Sequence, residues 1–186
     1  MDEKFYPVTL NGNEYGLPIV EIKPGLRIAV FDMLSSAALS RDASEALLKV
    51  MREKLADVLP TVDTVLSAET KGITLVNKVA DALGKEMVVL RKEEKIYYPG
   101  SIKSVVNTYT TKGDHALYLP PAQIPKLEGK NVLIVDDVVS TGSSLSAIES
   151  ILTQVKANIV GKAFVFAEGD AANRPDIVYV EKLPLL

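Results

Sequence analysis

Hydrophobic and polar positions along the chain alternate between two periodicities. Residues 132–135 (Val132, Leu133, Ile134, Val135) form a continuous, mostly β-branched apolar run, the pattern of a strand buried on both faces of a parallel sheet. After it Leu145, Ile148, Ile151, Leu152 and Val155 recur at helical spacing. Earlier, residues 40–59 carry Ala43, Ala46, Leu47, Val50, Met51, Leu55 and Val58 on one helical face, with Ser40 or Asp42 as the cap and Pro60 as the stop. Residues 62–66 read as another buried strand. A helix carrying Ile73, Val76, Val79, Ala80 and Leu83 follows, and Gly84 ends it. Residues 87–90, 159–167 and 176–180 are further short strands. Residues 102–119 alternate about the turn Thr111-Lys112-Gly113-Asp114, which predicts a hairpin projecting from the sheet. Before residue 40, strands are expected at 5–10 and 15–22 around Asn11-Gly12-Asn13, then a turn at Pro24-Gly25 and an apolar stretch over 26–34. This order predicts an α/β fold with a mainly parallel central sheet flanked by helices. A length of 186 residues predicts one domain, spanning 1–186.

Composition narrows the function classes. There is no cysteine, which removes disulfides and thiol chemistry and is compatible with the cytoplasmic location expected here. No apolar run approaches the ~18 residues of a membrane span, and Met1-Asp2-Glu3-Lys4-Phe5 is not a signal peptide. No membrane partner is expected. A net charge of −3 argues against non-specific nucleic-acid binding. It leaves room for a small polyanion, which local basic residues and Mg²⁺ would serve.

The candidate chemistry lies where strands end. Asp136 and Asp137 follow the run at 132–135, and Ser140, Thr141, Gly142, Ser143 and Ser144 come before the next helix. Backbone N–H groups, hydroxyls and the helix dipole together make an anion site. The two acids suit a sugar diol, a metal-bound water or Mg²⁺. Acids beside a phosphate cup imply a phosphorylated sugar. Neither the P-loop pattern nor the dinucleotide fingerprint occurs. Ser67 to Gly72 repeats the order strand, small loop, helix, which puts a second anion site at the same sheet edge. Arg91, Lys92 and Lys95 follow the strand at 87–90 and offer cations to a diphosphate. His115, the single histidine, falls in a hairpin arm and reads as a surface residue.

The run VLIVDDVVSTGSSL resembles the phosphoribosyl-pyrophosphate (PRPP) signature of type I phosphoribosyltransferases. The resemblance implies that family's fold, with residues 102–119 as a flexible flap and residues 1–39 contributing to a base pocket. It implies that Asp136 and Asp137 meet the ribose and bind Mg²⁺ through water, and that Ser140 to Ser144 hold the 5′-phosphate. Thr70, Lys71 and Gly72 match the pyrophosphate loop, with Lys where similar adenine enzymes have Arg. Arg91-Lys92-x-x-Lys95 matches the adenine enzymes' basic loop. Phe31 resembles their base-stacking Phe. The flap residues Tyr109, Thr111 and Lys112 look closer to xanthine-type enzymes, and Thr111 stands where adenine enzymes have a Glu. The implied activity is transfer of phosphoribosyl from PRPP to a purine in purine salvage, adenine favoured, with a homodimer as the assembly. The alternatives are a xanthine/guanine phosphoribosyltransferase and, from another class, a non-catalytic PRPP-binding sensor or regulator.

Overall fold

The computed structural model describes residues 4–106 and 115–186. Five strands form one parallel sheet: β4 (Thr64–Ala68), β5 (Glu86–Leu90), β8 (Asn131–Val139), β9 (Asn158–Glu168) and β10 (Val178–Leu183), in the order β10-β9-β8-β4-β5. β4 is buried at all five positions, as expected of a central strand covered on both faces. Alternation along the strands divides the core. Val65, Leu133 and Val165 face α1 (Ala37–Lys54) and α2 (Gly72–Leu83). Leu66, Ile134 and Phe164 face α3 (Ser143–Gln154) and a two-stranded hairpin, β6 (Ile102–Val106) and β7 (His115–Leu119). The mainly parallel sheet flanked by helices is therefore present, and in these five strands every pairing is parallel.

Boundaries differ from those that periodicity predicts. The first helix ends at Lys54, short of Leu55, Val58 and the expected stop Pro60, which lies in a 3₁₀ turn at Leu59–Thr61. Two further differences bear on the site. α1 begins at Ala37, and its cap is Ser36, whose Oγ accepts from the Leu39 amide at 3.3 Å. Ser40 and Asp42 lie buried inside the helix instead. The Asp42 carboxylate accepts from Tyr15 Oη at 2.6 Å and from Asn13 Nδ2 at 2.7 Å. These bonds fasten an antiparallel sheet of β1 (Phe5–Leu10), β2 (Asn13–Lys23) and β3 (Leu26–Ala29) onto α1. Second, β8 does not stop at Val135 but runs on to Val139, because Asp136, Val138 and Val139 stay in register with β9. The two acids thus sit near the end of a paired strand, with backbone fixed on one side.

Arg27 of β3 and Leu186 exchange backbone hydrogen bonds of 2.9 Å, which tie the N-terminal sheet down. The hairpin is anchored in the same way. Arg91, just past β5, and Tyr118 of β7 exchange backbone bonds of 2.8 Å. Tyr109, Thr111 and Lys112 lie outside the described residues.

Candidate active site

A cleft of about 400 Å³ opens at the carboxyl ends of β4 and β8, the edge where parallel sheets hold ligands. Thr70, Lys71, Lys92, Asp136, Asp137 and Ser144 line it, and Ala116 and Leu117 of the hairpin cover one side. A smaller cup of about 120 Å³ adjoins it, formed by residues 140–144 with Asp136, Val138 and apolar side chains beneath. Asp136, Val138 and Ser144 border both spaces. One ligand with a phosphate at one end and a polyanionic group at the other can span them.

The phosphate cup is built by its backbone. Gly142 adopts φ 80° and caps α3 without a side-chain bond, and its carbonyl accepts from the Ser146 amide at 2.8 Å. Thr141 Oγ1 and Ser143 Oγ lie 3.0 Å apart. A left-handed residue is needed here, which favours glycine. Among the described residues no basic side chain lines the cup.

The two acids have different surroundings. Asp136 Oδ1 accepts from the Asp137 amide at 3.0 Å and from Ser67 Oγ at 3.4 Å. Removal from water, and then the negative charge of Asp137, push its carboxyl up to about 8. Asp137 is 8% exposed, and its Oδ2 faces Lys71 Nζ at 2.8 Å, off the axis of a hydrogen bond. Lys71 Nζ also donates to the Phe31 carbonyl at 2.7 Å. One ammonium thus joins the strand acids, the α2 loop and the N-terminal segment.

Gly72 owes its identity to close approach. A Cβ there would stand 2.0 Å from Ser67 Oγ and 2.7 Å from Asp136 Oδ1. Glu69, the first residue of the loop Glu69-Thr70-Lys71-Gly72, organises the basic loop. Its Oε1 lies 2.9 Å from Arg91 Nε and its Oε2 accepts from the Lys92 amide at 2.8 Å. Lys95 pairs instead with Glu93 at 3.0 Å. Of the three basic-loop residues only Lys92 lines the cleft; Arg91 and Lys95 stand outside it. Phe31 is 2% exposed, with its ring edge-on to Phe166 at 4.8 Å. It meets the site through its carbonyl, not through an open ring face.

The donor set bears on metal binding. Among the described residues no group of three His, Cys, Asp or Glu comes together. Two adjacent carboxylates fit Mg²⁺ that arrives with a polyphosphate and keeps most of its water, not a resident ion in a protein cage.

The model of the phosphoribosyl transferase domain family matches residues 40–183. The chain belongs to that family. The family match takes in the acids, the cup, both anion loops and the hairpin. Among curated relatives, a Streptococcus pneumoniae protein described as a probable purine biosynthesis transcriptional regulator, PurR, is 29% identical over 153 residues, 82% of this chain and 53% of its own. Adenine phosphoribosyltransferase of Rhodococcus jostii is 32% identical over 117 residues, 63% of this chain and 64% of its own. The chain thus spans about half to two thirds of these relatives' lengths. The crystal structure of adenine phosphoribosyltransferase from Thermoanaerobacter pseudethanolicus superposes with a TM-score of 0.69 at 20% identity, covering 89% of this chain and 95% of that one. The fold is that of the type I phosphoribosyltransferases. Among the described residues no helix is long and apolar enough to cross a membrane.

Ser67, read from the sequence as the start of the second anion loop, is instead the penultimate residue of β4 and meets Asp136. Arg174 is a residue that no sequence pattern singles out. Arg174 lies in a polar loop far along the chain, and its Nη1 stands 3.2 Å from where a Gly142 Cβ would be.

Proposed function

We propose that this protein is a purine phosphoribosyltransferase, with adenine the favoured acceptor, acting in purine salvage. One observation carries the reading: Asp136 and Asp137 lie between a phosphate cup and a second anion loop in one continuous cleft. The 5′-phosphate is assigned to residues 140–144, the ribose hydroxyls to the two acids, and the diphosphate to Thr70, Lys71, Gly72 and Lys92. Arg91 and Lys95 join them once their carboxylate partners are exchanged for the ligand. The C1–oxygen bond breaks with its electron pair on pyrophosphate, a base nitrogen bonds to C1, and the proton of that nitrogen passes to one of the two carboxylates, Asp136 or Asp137. Positive charge grows on the ribose ring next to Asp137, while Lys71 and Lys92 face the departing anion, so fixed charges oppose the developing ones. Mg²⁺ on the diphosphate, held through water by Asp136 and Asp137, would neutralise further charge on the leaving group. The cup supplies binding energy at a distance from the reacting carbon. The hairpin, with Tyr109, Thr111 and Lys112 between β6 and β7 in the sequence, is assigned as the cover that excludes water. The N-terminal segment is assigned to the base side of the site, where the Phe31 carbonyl meets Lys71. A homodimer and a cytoplasmic location belong to the same proposal.

Adenine is supported by the several adenine phosphoribosyltransferases among the relatives. The flap sequence supports an oxopurine as the alternative acceptor. A second reading starts from the streptococcal regulator, which is similar over 82% of this chain, while adenine phosphoribosyltransferase of Mycolicibacterium gilvum is similar over 80%. On this alternative the protein binds PRPP as a signal without turnover. Pyrophosphate release from Mg²⁺-PRPP, with adenine, xanthine, guanine and hypoxanthine offered one at a time, tests both. Release that depends on one base supports the transferase and names its substrate. Tight PRPP binding with no release for any base rejects the transferase in favour of the sensor.

A further inference from the structure

A chain of charges runs along one face of α3. Glu149 of α3 pairs with Lys162 of β9 at 2.6 Å, and Lys162 pairs with Asp176 at 2.6 Å. Asp176 in turn receives Arg174 through Nε at 3.0 Å and Nη2 at 2.8 Å. This side-on fork fixes the guanidinium plane. It uses the Nε–Nη2 edge and leaves Nη1 with no hydrogen-bond partner among the described residues. Nη1 stands 3.2 Å from the position a Cβ on Gly142 would take. Gly142 and Glu149 are about two helical turns apart, hence on the same face of α3. The strap therefore grips the helix at Glu149 and reaches its N-terminal cup at Gly142.

The cup needs such a charge. Among the described residues its lining holds Asp136 and hydroxyl groups but no cation. The helix dipole amounts to only about half a charge, and a phosphate monoester carries nearly two.

We propose that Arg174 is a positioning residue for the ligand's phosphate: held by Asp176, it sets its Nη1 edge behind the cup at Gly142, nearer to it than the carboxylates of the strap, and fixes the shape of the loop. This assignment rests on the reading of residues 140–144 as the 5′-phosphate cup. Gly142 then has two reasons to be glycine, its left-handed backbone and the guanidinium seated where a side chain would project.

Calorimetry with Mg²⁺-PRPP, ribose 5-phosphate and Mg²⁺-pyrophosphate tests it, on wild type, Arg174→Met and Arg174→Lys. Arg174→Met is expected to weaken PRPP and ribose 5-phosphate by about threefold to tenfold, the effect of one charge lost near a partly solvated anion, and to leave pyrophosphate unchanged. Arg174→Lys recovers most of the loss. By ³¹P NMR, the phosphate of bound ribose 5-phosphate titrates at higher pH in Arg174→Met than in wild type, a change that mere loosening of the loop would not give. Equal affinity of wild type and Arg174→Met for ribose 5-phosphate overturns the assignment, as does an equal loss of pyrophosphate binding. Wild type that binds no PRPP refutes the transferase reading itself.

Discussion

Ser67, Gly72 and Asp136 meet at one point beneath the cleft, and the absence of a side chain on Gly72 allows it. Replacing Gly72 with Ala would drive a methyl group into Ser67 Oγ at 2.0 Å. Ser67 is fully buried in a paired strand and has nowhere to retreat. The expected cost is about 1–3 kcal/mol of stability, as for overpacking in a dense core. Because the second contact is Asp136 Oδ1, ribose binding falls as well; urea denaturation and PRPP titration of Gly72→Ala measure both. Asp136 itself predicts a pH dependence. Its pKa rises from 3.8 in the unfolded chain to about 8 in the folded protein. Between those values the folded state holds a proton that the unfolded state has released. Its contribution is complete below the lower value and lost as pH rises through the upper one. Asp136→Asn cannot ionise, so wild type should lose stability relative to this variant from about pH 4 to about pH 8. Parallel urea midpoints across that range would contradict this. The acids were legible in the sequence because two consecutive carboxylates after an apolar run are unusual. The partners of Ser67, Glu69 and Arg174 were not, since Asp136, Arg91 and Gly142 are distant from them in the chain.

At the scale of elements, periodicity located the three helices and the five parallel strands of the described residues, but not how the N-terminal sheet is held. Asp42 reads as a helix cap in sequence. Its carboxylate is instead the anchor for Tyr15 and Asn13 of β2, contacts across 27 and 29 residues that no local pattern reveals. The Tyr15 hydrogen bond is the main cause that lowers the Asp42 pKa, and the same bond raises that of Tyr15. A lowered carboxyl pKa stabilises the folded state above its unfolded value and ceases to do so as pH falls. The N-terminal sheet should therefore loosen from α1 in acid before the parallel sheet opens. In Asp42→Asn, hydrogen exchange is expected to accelerate in β1 and β2 at neutral pH while β4 and β8 stay protected. Uniform acceleration through all of these strands would show that Asp42 supports the whole fold and not one docking contact.

Across the whole molecule, the parallel sheet joins every part of the site. β4 delivers the second anion loop, β8 the acids and the cup, β5 the basic loop, and the hairpin is bonded to Arg91 just past β5. Three cations at this edge are already paired, Lys71 with Asp137, Arg91 with Glu69 and Lys95 with Glu93. These three are thus engaged, and a polyanion must replace carboxylates as their partners, while Lys92 lines the cleft without an ion pair among the described residues. PRPP without a divalent ion carries more charge than the available cations offset, whereas the Mg²⁺ complex brings part of its own neutralisation. Binding to the folded state alone stabilises it by about 2.7 kcal/mol at a hundredfold excess over Kd. For a chain of this size each kcal/mol raises Tm by about 2–4 °C, so saturating Mg²⁺-PRPP should shift melting by roughly 5–11 °C. With EDTA present the shift should fall to a fraction of that. The same shift with and without EDTA would mean that the protein's own cations suffice and that Asp136 and Asp137 serve the ribose alone.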